Sequence, residues 1–393
     1  MKIVLHDYHG TPHHFDLSKE FAKRGADVLH VYSATCGGPK ADFDTRDIDH
    51  LKVFGIRGRE IPKDRFFKRY IEERQYGIKI TKVLENYNPD IIISANTPTD
   101  AEKKIVSFAA KKKIPFIFWL KDIRSLAVFS VLSDRFGFLG QMVGKYYMWI
   151  EKKLLQKSDH IISLTDDFLE ILKTWKVNTK ISVIPDWTPI DDFPLCTKEN
   201  SFSLSHNLSN KFVILYSGTL GLKHNPELIS EAAEKYKEKE DNIFLVISEG
   251  VGIEFLKKEK KKKKLDNLML LPFQPYNELS KVLASADLLL TILEPSASQY
   301  CVPSKVWTGF CAAKPSVLVV PEENLAARVT KEINAGIVVS DQNSEALINA
   351  IEKLKNNSNE RSRMGVNARR YAEKNFHVAD IAHKFEEIIK ELA

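Results

Sequence analysis

The sequence predicts an α/β protein made of two doubly wound, parallel-sheet domains in series. Short apolar runs rich in Ile, Val and Phe alternate with segments of helical spacing along both halves of the chain, as in parallel sheets covered by helices on both faces. The length of 393 residues exceeds one ordinary core and suits two domains. Between the halves, residues 186–211 lose all periodicity and collect Pro, Asp, Ser and Asn, which is typical of a linker.

The first domain is predicted to cover residues 1–190 and the second residues 212–371. The predicted strands of the first are 2–6, 26–33, 90–94, 115–120, 160–164 and 180–185, and its predicted helices are 15–24, 66–87, 100–112, 141–157 and 166–175. The predicted strands of the second are 212–217, 242–248, 267–273, 287–293, 315–320 and 336–339. From about residue 368 the chain reads as one long amphipathic helix, whose last part, about 372–393, could pack on either domain, including back on the first. Because open α/β sheets bind ligands at the carboxyl ends of their strands, a cleft between the domains is the expected place for chemistry.

Composition excludes several classes of protein. An apolar fraction of 44% and a charged fraction of 28% are those of a soluble globular chain. The net charge of +6 does not indicate nucleic acid, but it suits partners that carry phosphate. The four cysteines lie far apart without metal-ligand spacing, which predicts a reducing compartment. We expect no signal peptide, no apolar window approaching the roughly 20 residues of a membrane span, and a cytoplasmic location.

The clearest loop of the second domain is YSGTLGLKHNPELI, residues 216–229. A buried strand ends at Ser217, Gly218 and Gly221 flank a tight turn, and a helix is predicted to begin near Pro226. Glycines let the backbone approach a phosphate, whose charge the amides of a helix start favour. An ordinary strand-to-helix turn would look the same, so this loop alone leaves both interpretations open.

A second motif is VPSKVWTGFCAAKPSVLVVP, residues 302–321, where Ser304 reads as a helix N-cap and Lys305 as a first-turn residue. A lysine opposes the helix dipole there, which is explained if an anion binds at this helix end. A lysine turned to solvent would cost little and is the alternative. Taken with the glycine loop, the motif favours a phosphate site.

The first domain offers polar groups after its first and fourth predicted strands. FWLKDIRS (118–125) brings Asp122 to the sheet edge, where it could hydrogen-bond sugar hydroxyls or assist an acceptor; a salt-bridged loop is the alternative. HDYHGTPHHFDL (6–17) contains Gly10, His13 and His14, which could orient an acceptor, although histidines in such loops are usually just hydrogen-bonded. No acidic or cysteine partner has matching spacing, so no metal site is predicted.

Two segments are candidates for contact with a membrane. Residues 125–150 are rich in Leu, Val, Phe, Tyr and Trp with few charges, and residues 65–74 are basic and aromatic. Such a pair suits the interface of an anionic leaflet. Core helices beneath a solvated face would explain each segment alone equally well. The lysine run at 257–264 is interpreted as a solvated helix or loop.

The whole chain resembles bacterial family 4 glycosyltransferases of the GT-B fold (two Rossmann-like domains with an interdomain cleft), in particular those that build O-antigen, capsule or colanic-acid-type polysaccharides. The motifs that carry the resemblance follow the family's order: HDYHG, LSKEFAKRGADVLHVYSA, FWLKDIRSL, IEKKLLQKSDHIISLTDDF, VIPDW, YSGTLG, ISEGVG, LPFQPYNEL, ADLLLTILEP and VPSKVWTGFCAAKP. They span nearly all of the chain.

The resemblance implies a retaining transfer, without a metal or other cofactor, from a nucleoside diphosphate sugar; a UDP-sugar is favoured and a GDP-sugar is possible. The implied acceptor is a polyprenyl-diphosphate-linked saccharide at the cytoplasmic surface of the inner membrane. Lys305, Lys223 and Asp122 are the implied catalytic residues. The implied donor-binding residues are Gly218, Thr219, Gly221, Glu249, Gly250, Phe273, Gln274, Glu294, Ser304, Val306 and Thr308.

Three departures from the family pattern stand out. The family often has two glutamates separated by seven residues; Glu294 could be the first, but Val302 stands where the second would be. Leu222 replaces a frequent phosphate-binding arginine, with Lys223 next to it. Lys121 replaces the histidine that often precedes the position of Asp122. Donor recognition is therefore expected to differ from that of better-known members.

Two rival functions share this fold pattern. A nucleotide-sugar 2-epimerase would need paired carboxylates or histidines around the sugar carbon and no membrane-facing surface. A non-catalytic nucleotide-sugar-binding subunit would keep the glycine loop without needing Asp122 or Lys305.

Overall fold

The computed structural model describes residues 1–37, 40–41, 43–46, 48–59, 66–221, 224–239 and 241–392. The chain forms two compact units, Met1–Pro185 together with Val378–Ala393, and Asp186–His377. Each contains a parallel sheet flanked by helices, as the sequence predicts.

The first unit is built on a seven-stranded parallel sheet with the order β3-β2-β1-β4-β5-β6-β7. Its strands are β1 Lys2–Asp7, β2 Asp27–Ser33, β3 Leu51–Ile56, β4 Ile91–Ala95, β5 Phe116–Leu120, β6 His160–Ser163 and β7 Lys180–Val183. In β1, Val4 pairs with Leu29 on one side and with Ile92 on the other. The strand order reverses between β1 and β4, so the loops after these strands diverge and leave a crevice there.

Helices cover both faces of this sheet. They are α1 Pro12–Lys23, α2 Phe66–Tyr87, α3 Thr99–Lys112, α4 Arg124–Lys157, α5 Asp167–Thr174 and the chain's last helix, α15 Val378–Leu392. The last helix packs on α1: the rings of Phe21 and Phe385 lie 6.3 Å apart, and Arg24 donates to Glu386 at 3.1 Å. Phe385 also meets Trp119 of β5 at 4.7 Å.

The second unit contains a six-stranded parallel sheet with the order β10-β9-β8-β11-β12-β13. Its strands are β8 Phe212–Ser217, β9 Asn242–Ile247, β10 Leu268–Leu271, β11 Leu288–Ile292, β12 Ser316–Val319 and β13 Gly336–Val339. Its helices are α6 Ser201–Ser205, α7 Glu227–Lys235, α8 Val251–Lys263, α9 Leu279–Ala284, α10 Pro295–Ser298, α11 Lys305–Cys311, α12 Leu325–Glu332, α13 Ser344–Lys355 and α14 Ser358–Asn375, with 3-10 turns at Ile190–Asp192 and Tyr276–Glu278. Here the strand order reverses between β8 and β11.

The structure corrects the sequence analysis in three places outside the site. The strand β3 is missing from the predicted set because its residues LKVFGI contain Lys52 and Gly55, and its alternating burial is that of an edge strand. The predicted single C-terminal helix is two helices, which break at Phe376 and His377. The predicted linker contains the buried side chains of Trp187, Ile190 and Phe202, so much of it packs in the second unit.

The helix α4 is a further correction, because the sequence predicts only 141–157 and no apolar window of spanning length. By length and composition, the 34-residue helix Arg124–Lys157 is a candidate membrane span, with 11% of its most apolar window buried. However, α4 consists of two helical arms, because the chain reverses its direction at Gly137 (φ 54°, ψ −131°). The arm before Gly137 is too short to cross a bilayer, and the arm after it carries Lys145, Glu151 and further lysines. Neither arm alone therefore has the length and composition of a membrane span.

Candidate functional site

The predicted donor-side residues follow the carboxyl ends of β8, β9, β10 and β11, which meet at one edge of the second unit's sheet. Gly218 follows β8, Glu249 and Gly250 follow β9, Phe273 and Gln274 follow β10, and Glu294 follows β11. Because the strand order reverses between β8 and β11, the Gly218 loop and the Glu294 turn flank the crevice where such sheets bind ligands.

The glycine loop and the acidic turn after β9 are joined by backbone hydrogen bonds. The Gly218 amide donates to Ile247 O at 3.0 Å, and the Leu220 amide donates to Glu249 O at 3.1 Å. Gly218 (φ 129°) and Gly250 (φ 111°) adopt backbone conformations that other residues rarely do. A Cβ on Gly250 would lie 3.0 Å from Leu220 O. Glycine is thus required at both places for the two loops to meet.

Lys305 brings the second predicted motif to the same loop. It begins the short helix α11, and its Nζ lies 3.8 Å from the centroid of the Tyr216 ring. A Cβ on Gly218 would lie only 3.2 Å from Lys305 Nζ. The Lys305 side chain as a whole is half-buried, and its Nζ is buried directly against the glycine loop. Ser304 precedes it at the predicted N-cap position and is exposed, but its side chain makes no cap hydrogen bond.

Other predicted donor residues take part in the loop's own structure. Thr219 O accepts a hydrogen bond from Tyr216 Oη at 3.0 Å. The Gly221 amide donates to His224 Nδ1 at 3.0 Å, so this N–H is already used within the loop. The predicted catalytic Lys223 lies outside the described residues, as does Leu222.

Four further predicted donor residues lie at the edge of the sheet with part or all of their surface exposed. Glu249 is exposed, and Phe273, Gln274 and Glu294 are half-buried at the sheet edge. Gln274 Nε2 donates to Pro272 O at 2.9 Å.

Val306 and Thr308 are accounted for by packing. Val306 is fully buried, and its amide donates to Pro303 O at 3.2 Å. Thr308 shares a hydrogen bond with Thr188 at 3.3 Å. Its buried side chain and its bonded amide give Val306 a packing role, which does not support the predicted contact with the donor.

In the first unit, the Asp7 carboxylate at the end of β1 organises the loop that follows. It accepts hydrogen bonds from the Thr11 amide at 2.5 Å and from Thr11 Oγ1 at 2.7 Å. Gly10 (φ 70°) completes the turn, and its Cα is packed so closely that a Cβ would lie 3.0 Å from Tyr32 and Phe43. The predicted acceptor residue Gly10 is thus buried and shapes the loop.

The position of His14 differs from the expectation that this side chain could orient an acceptor. Its Nδ1 lies 2.9 Å from Asp7 Oδ2, both side chains are fully buried, and its ring meets Trp119 at 4.3 Å. Burial alone would raise the pKa of Asp7, but His14 and Thr11 together hold it well below its usual value. A side chain with no exposed surface cannot contact an acceptor, so His14 instead fixes the loop through Asp7.

His13 and Lys121 form a polar pair near this loop. His13 Nε2 lies 3.2 Å from Lys121 Nζ, and Lys121 follows β5 with its Nζ 4.9 Å from the Trp119 ring. Burial lowers the pKa of Lys121 to about 7, although Asp7 and Asp122 act in the opposite direction. Burial, together with His14 and Lys121, also lowers the pKa of His13. Near neutral pH this pair can therefore hold or release a proton.

Asp122 lies beside this pair in a pocket of the first unit that sequence reasoning only partly foresaw. The pocket is lined by polar residues that follow β4 and β5, among them Asn96, Thr97, Lys121, Asp122 and Arg124, with Glu102 and Glu151 beneath. Burial raises the pKa of Glu102 to about 7, although Ser94 donates to it at 2.8 Å. In the sequence, the polar run SANTPTD (94–100) at the end of a buried strand could have predicted this part of the pocket. Among the described residues, no group of three or more His, Cys, Asp or Glu side chains is arranged to hold a metal ion.

Two family descriptions match the chain, one on each half. Residues 12–191 match "Glycosyltransferase Family 4", and residues 198–371 match "Glycosyl transferases group 1". The chain belongs to the family 4 glycosyltransferases of the GT-B fold. Both matches fall on segments that carry the loops described above.

Individual relatives agree with this assignment. The Escherichia coli protein WcaI, by name a colanic acid biosynthesis glycosyl transferase, is 25% identical over 220 residues, which is 54% of this chain and 54% of WcaI. The alignment thus spans about half the length of this curated relative. Among solved structures, HepE from Anabaena in complex with UDP-glucose is similar with a TM-score of 0.74, 15% identity and full coverage of both chains. Sucrose-phosphate synthase from Thermosynechococcus elongatus has a TM-score of 0.75 and 14% identity, covering 100% of this chain and 99% of its own.

Proposed function

We propose that this protein transfers a sugar, with retention of anomeric configuration, from a nucleoside diphosphate sugar to a lipid-linked saccharide during synthesis of a cell-surface polysaccharide. The observation that carries the proposal is the Lys305 amine lying against Gly218. A positive charge beside a glycine loop at the switch point of a sheet suits a diphosphate leaving group.

In this proposal the bond from the anomeric carbon to the diphosphate oxygen breaks while the acceptor hydroxyl oxygen bonds to the same face of the sugar. The departing diphosphate oxygen keeps the electron pair of the broken bond and accepts the proton of the acceptor hydroxyl, so that the products are the glycosylated acceptor and the nucleoside diphosphate. Lys305 stabilises the negative charge that develops on the leaving oxygen, and preorganised electrostatic stabilisation is often the largest single contribution to catalysis. No divalent cation is required for this step, since the amine supplies the positive charge; Lys223 is proposed to assist.

A uridine nucleotide is the favoured donor. HepE, whose structure has the same fold, is described in complex with UDP-glucose. Phe273 and Gln274, at the edge beyond β10, are the proposed contacts of the base. Glu249 and Glu294 are the proposed contacts of the donor's hydroxyl groups.

The proposed acceptor is a saccharide on a polyprenyl diphosphate at the cytoplasmic face of the inner membrane. Lys121 and Asp122, which line the polar pocket of the first unit, and His13, which contacts Lys121, are the proposed hydrogen-bonding partners of the sugar hydroxyls. The colanic-acid assignment in the name of WcaI supports a polysaccharide product.

The test is a panel of UDP-, GDP- and dTDP-sugars incubated with the full chain and a lipid-linked saccharide fraction. Release of nucleoside diphosphate, with the anomeric configuration of the product read by NMR, is the expected result. An inverted product would overturn retention. Interconversion of the nucleotide sugar without release of nucleotide would identify an epimerase, and tight binding without turnover would identify a binding subunit.

A further inference from the structure

Helix α4 is a hairpin of two helical arms that are joined at Gly137. The φ of 54° and ψ of −131° at this residue end the first arm, residues 124–136, and start the second, residues 138–157. Such a backbone conformation is accessible to glycine and strained for other residues. The chain therefore reverses its direction at a defined point.

Two glycines of the second arm let the arms pack side by side. A Cβ on Gly140 would lie 1.8 Å from Leu132 O, and a Cβ on Gly144 would lie 2.6 Å from the Cα of Phe129. These pairs run in antiparallel register, as they must in a hairpin. Glycines four residues apart that allow such an approach are a common device for packing helices in and near lipid.

The base of the hairpin is fixed to the first unit. The Glu151 carboxylate accepts hydrogen bonds from the Ser125 amide at 3.0 Å, from Ser125 Oγ at 2.6 Å and from the Arg124 amide at 3.2 Å. It thereby joins the second arm to the start of the first. Tyr147 Oη donates to Asp100 of α3 at 2.8 Å. The hairpin is thus a rigid element and not a loose loop.

The tip of this rigid element exposes a cluster of large apolar side chains, with the exposed charged residues Asp134 and Arg135 beside it. Phe138 and Leu139 are 74% and 70% exposed, and Phe136, Met142 and Val143 are also exposed. Isolated apolar side chains on a surface are ordinary, whereas a contiguous cluster on a projecting turn is typical of a binding surface.

The order of residue types along the second arm identifies what this tip binds. After the apolar residues come the exposed aromatic rings of Tyr146 and Trp149, stacked at 6.3 Å. Exposed lysines accompany these rings: Lys145 lies just before Tyr146, and Lys153 and Lys157 follow closer to the base. Apolar residues at the tip, followed by aromatic and basic residues along the arm, match acyl chains and then the interfacial zone with its anionic headgroups. A partner protein of ordinary surface composition would not require this order.

We infer that the hairpin 124–157 is a membrane anchor that inserts the side chains around Gly137 into one leaflet of an anionic bilayer. The inference deepens the proposed function and rests on it, since a lipid-linked acceptor has to be met at the membrane. Insertion is shallow, because the helix ends at Gly137 leave backbone groups without helical partners that hydrocarbon would not satisfy. A depth of about 5–10 Å, typical of interfacial helices, is expected.

The experiment uses the full chain and flotation with vesicles of phosphatidylglycerol and phosphatidylethanolamine. The test variant combines Phe138→Ser with Leu139→Ser, and the matched control combines Leu195→Ser with Leu204→Ser, two leucines that are exposed in the second unit. The test variant should partition at least about tenfold more weakly, whereas the control should behave as the wild type. Lipids brominated at the start of their acyl chains, next to the headgroups, should quench the fluorescence of the wild type more than that of Trp149→Phe.

Several results would overturn the anchor. One is equal flotation of the test variant and the wild type, with circular dichroism showing both folded. Another is flotation only with native membranes and not with protein-free vesicles, which would assign the tip to a membrane protein. A third is a soluble wild-type dimer that the test variant dissociates. Transfer to a water-soluble acceptor analogue separates the two proposals: flotation without transfer would refute the proposed function alone, and transfer without flotation would refute the anchor alone.

Discussion

Replacing Lys305 by methionine removes the charge beside the glycine loop and leaves most of the side chain's packing. The Lys305 stem lies against Tyr216 and Gly218, and the methionine side chain can fill nearly the same space. A hydrogen-bond donor of the protein that faces the charge developing in the transition state contributes about 2.7–4 kcal/mol to its stabilisation. The expected loss in kcat is therefore about 10²–10³-fold.

Stability should change far less than activity. The cation–π contact of Lys305 with Tyr216 at a half-buried position is worth about 0.5–2 kcal/mol, which predicts a shift in Tm of a few degrees for a domain of this size. Lys331→Met is the matched control, because Lys331 belongs to the same unit and forms an exposed ion pair with Glu322 at 2.9 Å. Such surface pairs contribute about 0–1 kcal/mol.

The assay compares kcat and KM for nucleotide release in the wild type and both variants, with thermal unfolding measured on the same samples. A Lys305→Met protein that is folded and retains kcat within about threefold of the wild type would refute the role of this amine in the leaving step, since that step is expected to depend on it by about 10²-fold or more. A rise in KM with kcat unchanged would show that the Lys305 amine contributes only to uniform binding of the donor.

Three further predictions follow from other parts of the molecule. Transfer should persist in EDTA, because a lysine can neutralise the leaving group; a loss that Mg²⁺ or Mn²⁺ restores would contradict this. Burial raises the pKa of Glu102 from 4.5 to about 7, so the folded state binds more protons in this interval and stability should fall as pH rises through it. Glu102→Gln should reduce that fall in urea unfolding at pH 5 and pH 7.5, and an unchanged pH dependence would show that the carboxyl is not responsible. Gly140→Ala should lower stability by about 1–3 kcal/mol through overpacking against Leu132, and an unchanged Tm would argue against the close contact of the two arms.

The buried strands could be predicted from the sequence because parallel strands covered on both faces are continuous apolar runs. Residues such as Val4, Leu5 and Ile92, which have no exposed surface, fall within such runs. The edge strand β3 has a lysine and a glycine among its six residues. An edge strand needs less apolar surface, so its pattern is too weak to stand out from a loop.

Side-chain burial within the loops could not be predicted. The first loop region contains several histidines, and the sequence does not distinguish the half-buried His13 from the fully buried His14. The difference arises because His14, in helix α1, faces Asp7 of β1 and Trp119 of β5. Likewise, Gly137 does not interrupt the helical periodicity of α4, so the reversal at this residue is visible only in the backbone.

The sheet edges of the two units carry different chemical groups, which supports the proposal that one unit binds the donor and the other the acceptor. In the second unit the edge consists of glycine backbone, the exposed Glu249 and Gly250, and the Lys305 amine. Backbone amides and a cation are suited to a charged diphosphate. In the first unit the corresponding groups are buried and hydrogen-bonded within the protein: Asp7 to His14, and Glu102 to Ser94. Buried hydrogen bonds of this kind make the surrounding structure rigid, and Asp122 and the His13–Lys121 pair lie beside them. Fixed hydrogen-bonding groups without a strong net charge suit hydroxyl recognition, which is the reason for assigning the donor to the second unit and the acceptor sugar to the first.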